Sequence, residues 1–169
     1  MRSTKRLSNA APVAMRMALA AGFLSAVADR FGLWGPIGTP VVSWGGFARF
    51  LDDTATLLPF LPPTLVAVAG WAATVAETLL GVALLAGVRV RLAALASGVL
   101  LLTFAIAMTA ALGPEAPLSY SVWTAAAGAL LLARDRPAAS RALHSREDPS
   151  TEAASSRFSS EPVSTCHSQ

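Results

Sequence analysis

The chain is nearly without the residues that most redox and hydrolytic sites are built from. Its single cysteine, Cys166, lies near the C-terminal end, so it has no partner for an internal disulfide and no Cys-x-x-Cys redox or zinc pair exists. Both histidines, His144 and His167, fall in the polar C-terminal stretch. The apolar part therefore has no haem or iron–sulfur ligand set and no base for a Ser-His-acid triad. No Gly-x-Gly-x-x-Gly follows a strand, no Walker loop is present, and the glycine-rich stretch Gly35 to Gly46 lacks the lysine of a phosphate cradle. Charge is scarce too, at 14% of 169 residues, against about 25% in ordinary soluble domains. The isoelectric point near 10.0 does not point to nucleic acid, because the basic residues are scattered at the flanks of apolar blocks and form no recognition helix.

What the chain has in excess is long apolar runs: 54% of residues are hydrophobic and the mean hydropathy is +0.55. Thr64 to Val88 (TLVAVAGWAATVAETLLGVALLAGV) is 25 residues with one ionisable group, Glu77. About 20 apolar residues cross the ~30 Å hydrocarbon core as a helix. A short basic turn, Arg89-Val90-Arg91, separates it from Leu92 to Leu112, which carries no charge. Helices joined so tightly are antiparallel neighbours. The expected fold is an all-α membrane protein, a four-transmembrane-helix up-down bundle with spans at about 13–31, 64–88, 91–112 and 117–133. The turn Gly113 to Pro117 precedes the fourth and shortest span, where Tyr120 and Trp123 suit an aromatic belt.

Between spans one and two lies a loop rich in Gly, Pro and aromatics, Phe31 to Pro63. Trp34-Gly35-Pro36 and Gly38-Thr39-Pro40 are turn signals. Its second half has helical spacing, with Trp44, Phe47, Ala48, Leu51, Ala55 and Leu58 on one face. Arg49 stands at pairing distance from Asp52 and Asp53 on the other. Ser43 is the expected N-cap and Pro59 the stop. This is an amphipathic surface segment of the first outer loop, lying at headgroup level or packed over the mouth of the bundle.

The Lys/Arg tally orients the bundle. With the N-terminus cytoplasmic, Arg2, Lys5, Arg6, Arg16, Arg89, Arg91, Arg134, Arg136, Arg141, Arg146 and Arg157 fall inside, and only Arg30 and Arg49 outside. That is a strong positive-inside bias, expected of a multi-pass membrane protein with both termini cytoplasmic. Residues 1–12 form a basic cytoplasmic N-terminus, 13–133 the membrane domain, and 134–169, rich in Ser, Arg, Glu and Pro, a disordered cytoplasmic tail. The start also fits a secretory signal, with Ala26-Val27-Ala28 as the cleavage site; mass spectrometry of the intact protein separates the two.

Glu77 is the leading candidate functional residue. Positions 70, 73, 74, 77, 81 and 84 share a helix face, and Gly70, Ala73, Thr74 and Gly81 there are small enough for close helix packing. A charge at such depth costs at least ~2.5–3.5 kcal/mol by insertion scales, so Glu77 faces protein or stays protonated. Arg16, Asp29 and Arg30 are the charged candidates to answer it. At 1.5 Å per residue Glu77 sits roughly 16 Å from the cytoplasmic end and Arg16 about 5 Å in, so that pairing needs extended side chains or a bridging water. Ser25, Thr74, Ser97, Thr103 and Ser121 are polar alternatives. The acid serves either as hydrogen-bonded glue between helices or as a proton-handling or ligand contact.

Residues 13–133 resemble the DoxX family of small four-helix bacterial membrane proteins. The resemblance rests on Arg16, Gly22 and Ser25-Ala26-Val27-Ala28-Asp29-Arg30 in span one, with Arg30 where Lys is more usual. It continues with Glu77-Thr-Leu-Leu-Gly81 and the pair Arg89 and Arg91. The runs FLSAVADRFGLWG and APLSYSVW look like one subgroup. The resemblance implies a component of a quinone-linked or redox-associated membrane complex, with quinone as the cofactor and a redox enzyme or a second copy as the partner in the bilayer. The residues themselves mark neither a quinone site nor a catalytic activity. Glu77, Arg16 and Arg30 are the candidate functional residues; no metal is expected. A non-catalytic scaffold or anchor is the alternative, and a small-solute or lipid transporter a weaker one, since no inverted repeat or broken helix is visible.

Overall fold

The computed structural model of the chain describes residues 2–134, and the tail from 135 onward, with Cys166 and both histidines, lies outside them. Six helices form in chain order: α1 Arg2–Arg30, α2 Phe47–Leu57, α3 Pro63–Ala86, α4 Val90–Leu112, α5 Glu115–Ser119 and α6 Val122–Arg134. No β-strand forms among the described residues. Ala10–Arg30, Pro63–Ala86 and Val90–Leu112 are each long and apolar enough to cross a membrane, and Val122–Arg134 is a shorter apolar helix. Length and composition thus mark a multi-pass membrane protein.

The helix ends follow local chemistry. Pro63 opens α3, where its missing N–H costs nothing. Gly87, at φ +74°, closes it in the left-handed conformation, and Val88 N–H returns to Ala83 O at 3.0 Å. The fourth apolar block does not run as one helix. It breaks at Tyr120-Ser121, with Ser121 at φ +56°, and Glu115–Ser119 forms a short helix where a turn is expected. At 13 residues α6 is about 20 Å long.

Packing proceeds in two antiparallel pairs, α1 on α3 and α4 on α6, with α3 also touching α4 and α1 touching α6. Small residues set each closest approach. A Cβ built at Gly81 would meet the Leu24 side chain at 2.9 Å, and one at Gly98 would meet Leu130 at 2.6 Å. Leu19, Ala20, Phe23, Leu84, Ala94 and Ala129 form the apolar centre. Trp71, Val75, Leu79 and Val82 of α3 face outward, as expected of its opposite side.

One feature of the register departs from a simple bundle. Gly87 of α3 lies beside Arg16, Gly81 beside Phe23 and Leu24, and Thr74 beside Arg30. The C-terminal end of α1 therefore meets α3 near its middle. The N-terminal half of α3 is covered instead by α2, where Leu51 and Phe50 sit over Gly70. The intervening loop folds back along α1, and the Trp34 indole N–H donates to Ser25 O at 3.1 Å. Span one is thus completed by a loop and a short helix.

Details of α2 differ from the sequence reading. Gly46, not Ser43, precedes its first residue, and the Ser43 N–H donates to Asp29 at 2.9 Å. Its inner face is centred on Phe50, while Ala48 and Ala55 are exposed. Arg49 forms no ion pair with Asp52 or Asp53 among the described residues; Asp53 instead accepts the Trp44 indole N–H at 2.8 Å. An aromatic series, Trp44–Phe50–Phe47–Trp71, runs from the loop to α3 with centroid distances of 5.2, 5.6 and 4.4 Å.

Candidate functional site

The site is built where α1 ends. Asp29 and Arg30, neighbours in the chain, are both buried, at 5% and 3% exposure. They point to different tasks. The Asp29 carboxylate accepts three backbone N–H groups of the incoming loop: Ser43 at 2.9 Å, Trp44 at 3.1 Å and Gly45 at 3.2 Å. Hydrogen bonds to an ionised acceptor are about twice as strong as neutral ones. Gly45, at φ +61°, allows the backbone to curl around the acid, and a Cβ there would lie 3.0 Å from Ile37 N.

Arg30 turns the other way, into α3. Its Nη2 donates to Glu77 Oε1 at 2.7 Å, forming a salt bridge with Glu77 2% exposed. Its Nη1 donates to Thr74 Oγ1 at 3.0 Å, and Thr74 in turn donates to Gly70 O at 2.8 Å. Above the guanidinium lies the Phe50 ring, 3.9 Å from Cζ to centroid, with Trp44 at 5.2 Å. Cation–π contact of this kind strengthens as the cation is desolvated. Two polar atoms in this centre have no partner among the described residues: Arg30 Nε and Glu77 Oε2.

The three candidate residues are thus divided by the fold. Glu77 and Arg30 come together, and the cation supplies the charge partner that the acid requires at depth. Arg16 does not join them. It lies against Gly87, ten residues further along α3, or about 15 Å. Arg30 belongs to the bundle interior and is not the loop cation that the tally took it for. Of the polar alternatives, Thr74 is in the cluster. Ser97 is buried but donates to Ala93 O on its own helix, and Ser25, Thr103 and Ser121 are exposed.

Phe50 and Trp44 belong to the centre and were not among the candidates, and Asp29, weighed only as a charge near Glu77, instead holds the loop. Asp29 carried a usable signal, since two adjacent charges end an otherwise apolar helix. Phe50 and Trp44 carried none, because their approach to Arg30 depends on how the loop folds back. Among the described residues no cluster of His, Cys, Asp and Glu is arranged to hold a metal. Comparison with protein-family models, curated proteins and solved structures finds no match to the chain.

Proposed function

We propose that the protein is a four-span component of the DoxX type in a bacterial cytoplasmic membrane, with both termini inside, working within a quinone-linked or redox-associated membrane complex. Its polar centre is the Arg30–Glu77–Thr74 cluster. The observation that carries this reading is the pair of buried, unpartnered atoms, Arg30 Nε and Glu77 Oε2. A buried donor or acceptor left unmade costs roughly 1–3 kcal/mol, and natural proteins retain few of them without a reason.

The residues present fit the polar edge of a quinone. Arg30 Nε is a donor for a carbonyl oxygen, Glu77 Oε2 an acceptor for a hydroxyl, and Phe50 and Trp44 bring aromatic faces to the same place. Such a ring supplies two-electron, two-proton chemistry when bound. The chain's own part is to hold Arg30 and Glu77 in register and to exclude water from them. Phe50 covers Arg30, so access to the cluster runs through α2.

A second reading, a non-catalytic membrane scaffold or anchor, is favoured by the closed packing around Glu77. In that case the ion pair serves only to join α1, α2 and α3. Purification in mild detergent, with identification of co-purifying quinone and proteins, separates the two. Bound quinone that is lost in Glu77→Gln supports the first reading. Stable protein partners and no quinone in the unmodified protein support the second.

A further inference from the structure

The described charges of the molecule are sorted by end. Asp52, Asp53 and Glu115, with Arg49, belong to the end formed by the α1–α2 loop, α2 and α5, while Asp29 is taken up by three loop amides and Glu77 by Arg30. At the opposite end, α1 passes the α3–α4 turn and α6 finishes. Arg16, Arg89, Arg91 and Arg134 converge there, and no described acidic residue accompanies them; Asp135, next in sequence, lies outside the described residues.

Two of these arginines are placed by specific contacts. The Arg16 guanidinium is seated against Gly87, the left-handed residue that closes α3, and a Cβ there would lie 2.9 Å from Nη1. Glycine is needed at that position both for its φ of +74° and for the room it leaves. The position also puts the cation at the negative end of the α3 dipole. Arg91 Nε donates to Ala133 O at 3.2 Å, beside Arg134. Arg89 is held at φ +43° at the start of α4, a conformation uncommon outside glycine. The turn is thereby held by Arg16 against Gly87 on one side and by Arg91 on the Ala133 carbonyl of α6 on the other.

A topology signal needs cations only in the loops. Arg16 lies inside the apolar helix Ala10–Arg30, half-buried, and its buried Nε has no partner among the described residues. Around the four arginines the surface is apolar and open: Val13, Met15, Leu85, Val88, Leu92 and Leu131 are exposed. A cationic group ringed by exposed apolar side chains at the ends of membrane helices matches an amphiphile with an anionic head. Arginine forks bind phosphate oxygens bidentately, and basic recesses between helix ends take anionic lipid headgroups.

We propose that Arg16, Arg89, Arg91 and Arg134 form a binding site for the phosphate of an anionic phospholipid. The site is separate from the Arg30–Glu77 centre and does not depend on any redox role.

The test is native mass spectrometry of the full-length protein in mild detergent, titrated with phosphatidylglycerol or phosphatidylcholine of identical acyl chains. Phosphatidylglycerol is expected to be retained at roughly tenfold lower concentration, and each Arg→Gln change to weaken it about fivefold. Arg134→Gln is the variant least coupled to folding, since its side chain is exposed. Arg16→Lys keeps the charge but loses the fork, and is expected to bind less tightly than the parent. Equal retention of the two lipids by the unmodified protein overturns the proposal. Displacement of the lipid by an equal concentration of glycerophosphate also overturns it, since the site then takes free phosphate.

Discussion

Arg30 is the last residue of α1, yet its guanidinium meets Glu77 near the middle of α3, 2.7 Å from Oε1. Fourteen residues of α3 precede Glu77, or about 21 Å of helix. The pairing therefore requires α1 to stop at mid-depth and a loop and α2 to complete the bundle above it. Irregular backbone at such depth is tolerated only where protein or water satisfies its polar groups, and Asp29 supplies three of the acceptor contacts.

Removing one member of the pair leaves the other charge buried and unanswered. Glu77→Gln and Arg30→Gln are each expected to destabilise the fold by ~3–5 kcal/mol. The double variant Arg30→Met, Glu77→Leu is expected to recover most of the loss, because both charges are then gone. Thermal unfolding in detergent measures all three, and additive losses would show that the two residues are not coupled.

Asp29 holds the loop rather than the helices. Asp29→Ala removes acceptors for Ser43, Trp44 and Gly45, at a cost of about 1.5–3 kcal/mol for charge-assisted bonds. Hydrogen exchange at those three amides is expected to accelerate while α3 and α4 stay protected. Uniform acceleration along the chain would instead mean that Asp29 supports the whole fold.

The glycines divide into two groups by what surrounds them. A Cβ at Gly70 would meet Leu51 Cδ2 at 2.5 Å, whereas nothing lies within 4 Å of one at Gly22. Gly70→Ala is expected to cost ~1–3 kcal/mol by overpacking, and to raise proteolytic cleavage near α2. Gly22→Ala is expected to be neutral or stabilising by up to ~1 kcal/mol, from helix propensity. Equal behaviour of the two variants in proteolysis and melting would rule out close seating of α2 on Gly70.

Orientation is open to direct labelling. In a Cys166→Ser background, Val88→Cys is expected to react with an impermeant thiol reagent only from the cytoplasmic side. Glu115→Cys is expected to react only from the outer side, because α4 separates the two positions. Labelling of both from one side would exclude a spanning α4.

Much of the architecture was legible in the chain because helices in an apolar solvent answer to local rules. The apolar runs, Pro63, Gly87 and the Arg89–Arg91 turn set α3 and α4 without reference to the rest of the molecule. The inward face of α3 was also legible, since its small residues and Glu77 recur at helical spacing. The register of span one against α3 was not, because an apolar count cannot tell where a helix stops relative to its neighbour. Nor was the break at Ser121, where a non-glycine residue takes a left-handed φ of +56° with no Gly or Pro beside it to signal the turn.

The centre itself divides along the same line. That Glu77 needs an inward face and a polar answer follows from its sequence position, through the cost of a charge in hydrocarbon. Which cation answers it was decided by the tertiary register of α1 on α3, which brings Arg30 to Thr74 and leaves Arg16 at Gly87. That register is set by side-chain packing at Gly81 and by the loop folded on Asp29. Both are long-range contacts, and residue spacing along one helix does not encode them.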